Sequence, residues 1–238
     1  LGISLAVLVF AADYFVEQAS QLAKKLGVAP VAIGLSVVAI GTSLPEAMTS
    51  AVAALKEHPG IAIGNVIGSN ICNIGLILAI PALISPITAK SRALKQEGSL
   101  MLLLSIALWG IAYFCGAMGR VSGALFLVGF VAFLYFVFKS RENDELINLE
   151  EESDIDSSFA FLSLKIITSL IIVLLSSNFL VDAAIDLAEL LNVSDNVIAI
   201  SLVAFGTSLP ELSVSIAAVK KKETGILVGN IIGSNISN

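Results

Sequence analysis

Charge is scarce in this chain. Of its 238 residues only 13% are charged, 57% are hydrophobic, and the mean hydropathy is +0.96. Soluble domains carry about a quarter charged residues, so this balance excludes a freely soluble globular domain. Cysteine is scarce too. Cys72 and Cys115 are the only two, too few for a disulfide framework, and both read as small apolar packing residues. The single histidine, His58, sits beside Pro59 in a short polar stretch and reads as a surface residue, which leaves no His- or Cys-rich zinc motif. No leader peptide separates from the first apolar run, which continues into Asp13 and Glu17 without a small-residue cleavage site.

What the chain has is long apolar runs. A membrane-spanning helix takes ~20 mostly apolar residues. Ile3–Ala23, Gly60–Ile84, Leu100–Gly116, Val121–Phe138 and Phe159–Ala184 reach or approach that length. Two more runs, Val31–Leu55 and Val197–Val219, are each interrupted by the hexapeptide GTSLPE, and a last one begins near Thr224 and stops at Asn238. The expected fold is therefore an all-α polytopic membrane protein, with seven spans and the start of an eighth. Opening on Leu1 and stopping inside an apolar run, the sequence reads as part of a longer protein.

The net charge of −6 is not a partner signal, because eight of the nineteen acidic residues lie in one stretch, Arg141–Asp156 (RENDELINLEEESDID). An EF-hand loop would need a central glycine there, and none is present, so a solvated linker is expected. Loops numbered oddly along the chain hold eleven of the lysines and arginines, and even ones hold only Lys56 and Arg120. That bias puts the odd loops and the acidic linker in the cytoplasm and the N-terminus outside a plasma (inner) membrane.

The hexapeptide belongs to a larger repeat. Val38–Asn73 aligns without a gap on Val203–Asn238, with 21 of 36 positions identical at an offset of 165. The same offset sets Tyr14-Phe15-Val16-Glu17 on Phe179-Leu180-Val181-Asp182, so a whole bundle is duplicated. Five spans separate the copies, an odd number that turns the second upside down. Inverted repeats mark secondary transporters, with the substrate site at the midplane where the halves meet. The expected organisation is a first repeat over 1–139, an acidic linker over 140–158 and an incomplete second repeat over 159–238. If the copies are equal in length, the parent has inverted five-helix repeats and runs to roughly 300 residues.

Within GTSLPE, Pro45 and Pro210 leave the carbonyls of Gly41 and Gly206 without their helical donors, so each helix kinks or breaks. A kink needs no carboxylate, yet Glu46 and Glu211 follow directly, and a charged side chain at mid-helix costs ~2.5–3.5 kcal/mol. If the two met at the repeat interface they would repel, and a cation between them removes that cost. Thr42 and Glu46 share a helix face at i, i+4, as do Ser69 and Asn73, and Ser234 and Asn238. Gly64, Gly68, Gly229 and Gly233 have the GxxxG spacing that lets backbones approach. These donors are all hard oxygens, which select calcium, sodium or magnesium. Calcium suits an irregular oxygen shell held by two carboxylates, and the hydroxyls and freed carbonyls suit sodium.

The doubled pattern GTSLPE…GNxIGSNIxN resembles the alpha-repeats of sodium/calcium exchangers in the calcium:cation antiporter superfamily, above all the short prokaryotic members without regulatory domains. The resemblance covers essentially the whole chain. It implies ten spans, with the first and sixth helices oblique and sliding during alternating access. By motif it implies that Glu46, Glu211, Thr42 and Thr207 hold calcium. Ser43, Ser208, Ser69 and Ser234, with the carbonyls of Ala39 and Ala204, would complete sodium sites, and Asn73 and Asn238 would line the centre. Some members carry aspartate where this chain has Asn238, which makes this cage less negative. The function implied is antiport of calcium against sodium, not enzymatic, needing no cofactor, with membrane lipid and the two ions as partners and no nucleic acid. A calcium/proton antiporter of the same fold and, more remotely, a cation channel are the alternative readings.

Overall fold

The computed structural model describes residues 1–88, 91–115, 119–141, 158–191 and 206–238. The first apolar run forms α1, Gly2–Leu26, which ends on Gly27 in the left-handed conformation (φ 64°, ψ 30°) with Lys24 and Lys25 in its last turn. Both features are what a helix C-terminus favours: a residue free of Cβ strain and cations against exposed carbonyls. Helices α2 (Pro30–Ile33), α3 (Ala39–Thr42) and α4 (Leu44–Leu55) follow, then α5 (Pro59–Cys72) and α6 (Ala79–Ile84). The long α7 (Ser91–Cys115), α8 (Arg120–Arg141) and α9 (Phe159–Leu190) come next, then α10 (Leu209–Lys220) and α11 (Thr224–Ser237). No strand occurs among the described residues.

Among the described residues four helical runs are long and apolar enough to cross a membrane, Gly2–Leu26, Pro59–Ile84, Arg120–Lys139 and Phe159–Ala188, and a fifth forms if Pro30–Thr42 and Leu44–Leu55, bent by 47°, count as one. The sequence leads to a larger number. The difference lies in α7, whose first turns carry charge (SRALKQEG), and in the second interrupted run, described only from Gly206 onward. The acidic stretch over 142–157 lies outside the described residues. On α8 the mean hydropathy is 2.4 and only 11% of its most apolar stretch is buried, so most of its apolar side chains face outward.

α1 lies along α9, and α10 and α11 pack on α1 and on the α2–α3 segment. Phe15, Val16 and Ala19 of α1, Ile33 and Leu35, Leu162 and Val173 of α9, and Val214, Ile226 and Leu227 form the buried core. The approach of α11 to the α2–α3 segment is backbone-close. A Cβ on Gly34 would lie 2.6 Å from the carbonyl oxygen of Ile226, and one on Gly229 would lie 2.6 Å from that of Val31. A Cβ on Gly233 would meet Ala39 at 2.6 Å. Gly229 and Gly233 thus serve as packing glycines; at Gly64 and Gly68 nothing among the described residues lies within 4 Å.

Two π-helical segments were not legible in the sequence. Gly34–Val38 joins α2 to α3, and Asn73–Ile77 joins α5 to α6, with the N–H of Leu78 bonded to the carbonyl of Asn73 at 2.9 Å. π-turns insert one residue into a helix and concentrate at functional sites.

The duplication reaches backbone detail. Ser43 (φ −83°, ψ 7°) and Ser208 (φ −91°, ψ 4°) hold the same conformation at the two breaks. Glu57 and Lys222, 165 apart, both have φ 62° at the end of the following helix. The next N–H bonds back at 2.9 Å in each copy, His58 to Ala53 and Glu223 to Ala218. At that end the loop after α10 is tied to α1: Lys221 lies 3.4 Å from Asp13 and 3.5 Å from Glu17, and Ser20 donates to Glu223. His58 is exposed and Cys72 half-buried against the core, as the sequence suggests.

Candidate cation site

Each GTSLPE break starts a helix, with Pro45 and Pro210 in its first turn, where a missing N–H costs nothing. The residue behind the proline therefore stands at a helix N-terminus, which favours negative charge. Glu46 and Glu211 occupy those places on α4 and α10, and both are buried, at 2% and 1% exposure.

The two breaks exchange hydroxyls. Ser43 donates to Oε1 of Glu211 at 3.0 Å, and Ser208 donates to Oε1 of Glu46 at 3.2 Å. Each carboxylate thus has one oxygen held by the opposite copy. Its other oxygen is bare: Oε2 of Glu46 and Oε2 of Glu211 are buried with no hydrogen-bond partner. Asn73 Oδ1 and Ser234 Oγ share that state. Leaving a buried polar atom unpaired costs about 1–3 kcal/mol. Of the elements that carry these four oxygens, α10, α11 and the segment after α5 pack on one another, and the Ser208 bond brings Glu46 of α4 to them. Unpaired oxygens of this kind are the type of donor a hard cation takes.

Thr42 is fully buried, with Val38 and Ala39 carbonyls and Asn230 Oδ1 within 3.1–3.3 Å of its hydroxyl. A hydroxyl has one proton and two lone pairs, so this setting leaves acceptor capacity for a cation. Thr207 is half-buried at the other break. The Ala39 carbonyl already accepts the N–H of Ser43 at 3.0 Å, while the carbonyl that Pro45 deprives is that of Gly41. Ala204 lies outside the described residues. Ser69 is buried on the last turn of α5, and Asn238 is half-buried, donating to Asn70 Oδ1 at 3.3 Å. Asn70 in turn reaches the Asn235 carbonyl at 3.5 Å, so residues 165 apart touch each other and α5 meets α11 there.

Two pairs of residues escaped the sequence reading. Asn65 donates to the Glu46 carbonyl at 3.0 Å and to Ser50 Oγ at 2.9 Å. Asn230 does the same to the Glu211 carbonyl, at a long 3.4 Å, and to Ser215 Oγ at 3.1 Å. A signal was available: both asparagines and both serines are identical between the aligned copies.

Among the described residues no group of three or more His, Cys, Asp or Glu side chains is arranged to hold a metal. The residues around the two breaks are instead two carboxylates with neutral hydroxyl and amide oxygens beside them.

Comparison with known proteins gives a consistent picture. The model of the sodium/calcium exchanger protein family matches residues 1–139 and 161–238. An uncharacterised membrane protein of Methanocaldococcus jannaschii is 39% identical over 237 residues, 99% of this chain and 76% of its own length. The sodium/calcium exchanger MaX1 of Methanosarcina acetivorans is 36% identical over 277 residues, covering 100% of this chain and 79% of its own. A solved structure of the sodium–calcium exchanger NCX_Mj, soaked with sodium and calcium, superposes with a TM-score of 0.84 at 39% identity, over 100% of this chain and 76% of that one.

Proposed function

The chain belongs to the sodium/calcium exchanger protein family, and from that premise we propose that its two GTSLPE breaks form the site at which calcium and sodium compete. The protein is an all-helical membrane antiporter for these ions, and the proton-coupled alternative is not favoured. Transport requires no covalent chemistry.

The observation that carries the site assignment is the pair of bare, buried carboxylate oxygens on Glu46 and Glu211, each glutamate anchored through its other oxygen by a serine of the opposite copy. Calcium bound between them is balanced by two negative charges, with Thr42 and Thr207 adding neutral oxygens. Sodium occupies positions made by Ser43, Ser208, Ser69 and Ser234 with the Ala39 and Ala204 carbonyls, while Asn73 and Asn238 line the centre. Because the serines bond to the carboxylates, the two ion sets share oxygens, and filling one set disfavours the other. Mutual exclusion of that kind is what antiport needs.

The chain is read as two copies, 1–139 and 159–238, of opposite orientation, joined by a cytoplasmic linker over 140–158, with the N-terminus outside a plasma membrane. The lysine and arginine bias supports this orientation.

Proteoliposomes loaded with sodium and diluted into sodium-free buffer test the function through radioactive calcium uptake, beside vesicles carrying only a pH gradient. Uptake is expected with sodium alone. Uptake driven only by the pH gradient would move the protein to proton coupling.

A further inference from the structure

The two carboxylates are attached to helices, and something must fix where those helices sit. Asn65 and Asn230 are placed to do so. The amide of Asn65 spans one turn of α4, with one N–H on the carbonyl of Glu46 and the other on the hydroxyl of Ser50, four residues on. Asn230 spans the corresponding turn of α10, from Glu211 to Ser215. Both donor hydrogens of each amide are therefore used on the turn that bears the carboxylate. Along α5 and α11 the same asparagines lie one turn before Ser69 and Ser234, on the face those serines occupy. Each amide thus sets the register between the carboxylate-bearing helix and the serine-bearing helix of its own copy.

Asn230 goes further. Its Oδ1 accepts from Thr42 at 3.1 Å, so one fully buried amide joins a threonine of the first copy to the backbone of Glu211 in the second. Among the described residues no hydrogen bond joins the counterparts, Thr207 and Asn65.

We propose that Asn65 and Asn230 are positioning residues for ion exchange, each holding a site carboxylate in register with the serine of the next helix, and that Asn230 also links the two halves of the site through Thr42. This inference rests on the exchanger reading. A purely structural role, gluing neighbouring helices together, would change how much protein folds but not how tightly the folded protein holds its ions.

The test compares wild type with Asn65→Ala, Asn230→Ala and Ser215→Ala. Calcium binding is followed by titration calorimetry on the monodisperse protein. Initial calcium uptake in proteoliposomes is followed against calcium and sodium concentration and normalised to folded protein. Asn65→Ala is expected to weaken calcium binding and raise half-saturating calcium about tenfold, as loss of a ligand's supporting hydrogen bonds does, with the maximal rate within about twofold. Asn230→Ala is expected to shift half-saturation for both ions. Ser215→Ala leaves Asn230 in place and removes one of its contacts, so it decides the matter if Asn230→Ala does not fold. Binding constants of Asn65→Ala and Ser215→Ala within about twofold of wild type would overturn the proposal. Wild-type protein that binds calcium but shows no sodium-driven uptake would overturn the exchanger reading alone, and the calorimetric comparison would still judge the asparagines.

Discussion

Ser43 donates its hydroxyl hydrogen to Oε1 of Glu211 at 3.0 Å, and 165 residues later Ser208 returns the bond to Oε1 of Glu46 at 3.2 Å. Neither copy of the repeat completes a carboxylate site alone. The serine that steadies each charge comes from the other half, so the halves must meet before either site exists.

Glu46→Gln and Glu211→Gln keep the size of each side chain and remove its charge. Each is expected to lower sodium-driven calcium uptake by about 100-fold or more, equivalent to about 3 kcal/mol of lost cation stabilisation. The protein should still elute as a monodisperse peak. Normal flux in either variant would sink the two-carboxylate site.

Ser43→Ala and Ser208→Ala test the exchange of hydroxyls. Because the bonds mirror each other, half-saturating sodium should rise in both variants by a similar factor, about tenfold to a hundredfold for the loss of one hydrogen bond to a charged group. A shift in one variant only would show that the copies do not share the work as the geometry implies.

Gly229→Ala tests the close approach of α11. The added methyl would lie 2.6 Å from the Val31 carbonyl oxygen and 2.7 Å from the Leu35 nitrogen, both backbone atoms that cannot step aside. Overpacking of this kind costs about 1–3 kcal/mol. Thermal unfolding in detergent should shift down by several degrees. At Gly60 no atom lies within 4 Å among the described residues, so Gly60→Ala should leave the transition within about two degrees of wild type.

Glu57 and Lys222 hold φ 62°, a region that costs a side-chain-bearing residue about 1–2 kcal/mol. Glycine relieves that strain, and its larger backbone entropy in the unfolded chain offsets part of the gain. Glu57→Gly and Lys222→Gly are each expected to raise stability by up to about 1 kcal/mol, read as a higher midpoint of heat-induced aggregation. A lower midpoint in both would mean that the turns are not strained.

Much of this architecture was legible in the sequence because it depends on pattern. The gapless 165-residue offset, the prolines that must break a helix and the glutamates behind them are visible without coordinates. The ligand candidates at Thr42, Ser43, Ser69, Asn73, Ser208 and Ser234 all stand buried in the structure. What escaped the sequence depends on how helices are rotated against one another. Gly34 has no motif around it, yet it touches α11 more closely than Gly64 or Gly68 touches any described residue. Asn65 and Asn230 sit in plain view inside GNxIGSN, but their role is fixed by a neighbouring carbonyl that local sequence does not name.

The π-turn over Asn73–Ile77 makes chain length itself a determinant of the site. It accommodates one residue more than an α-helix would, directly after α5 and at the residue whose Oδ1 is bare. Deleting one residue between Asn73 and Ile77 would let the ordinary α-helical ladder close, leaving the helix beyond it in nearly its original phase but removing the widened turn that sets Asn73. The loop between α4 and α5 is surface-exposed and has room to lose or gain residues. Single-residue deletion scanning should find transport impaired by the loss of Asn73 itself and less affected by a deletion among the exposed Ile74, Gly75 and Leu76, which an α-helical turn can absorb.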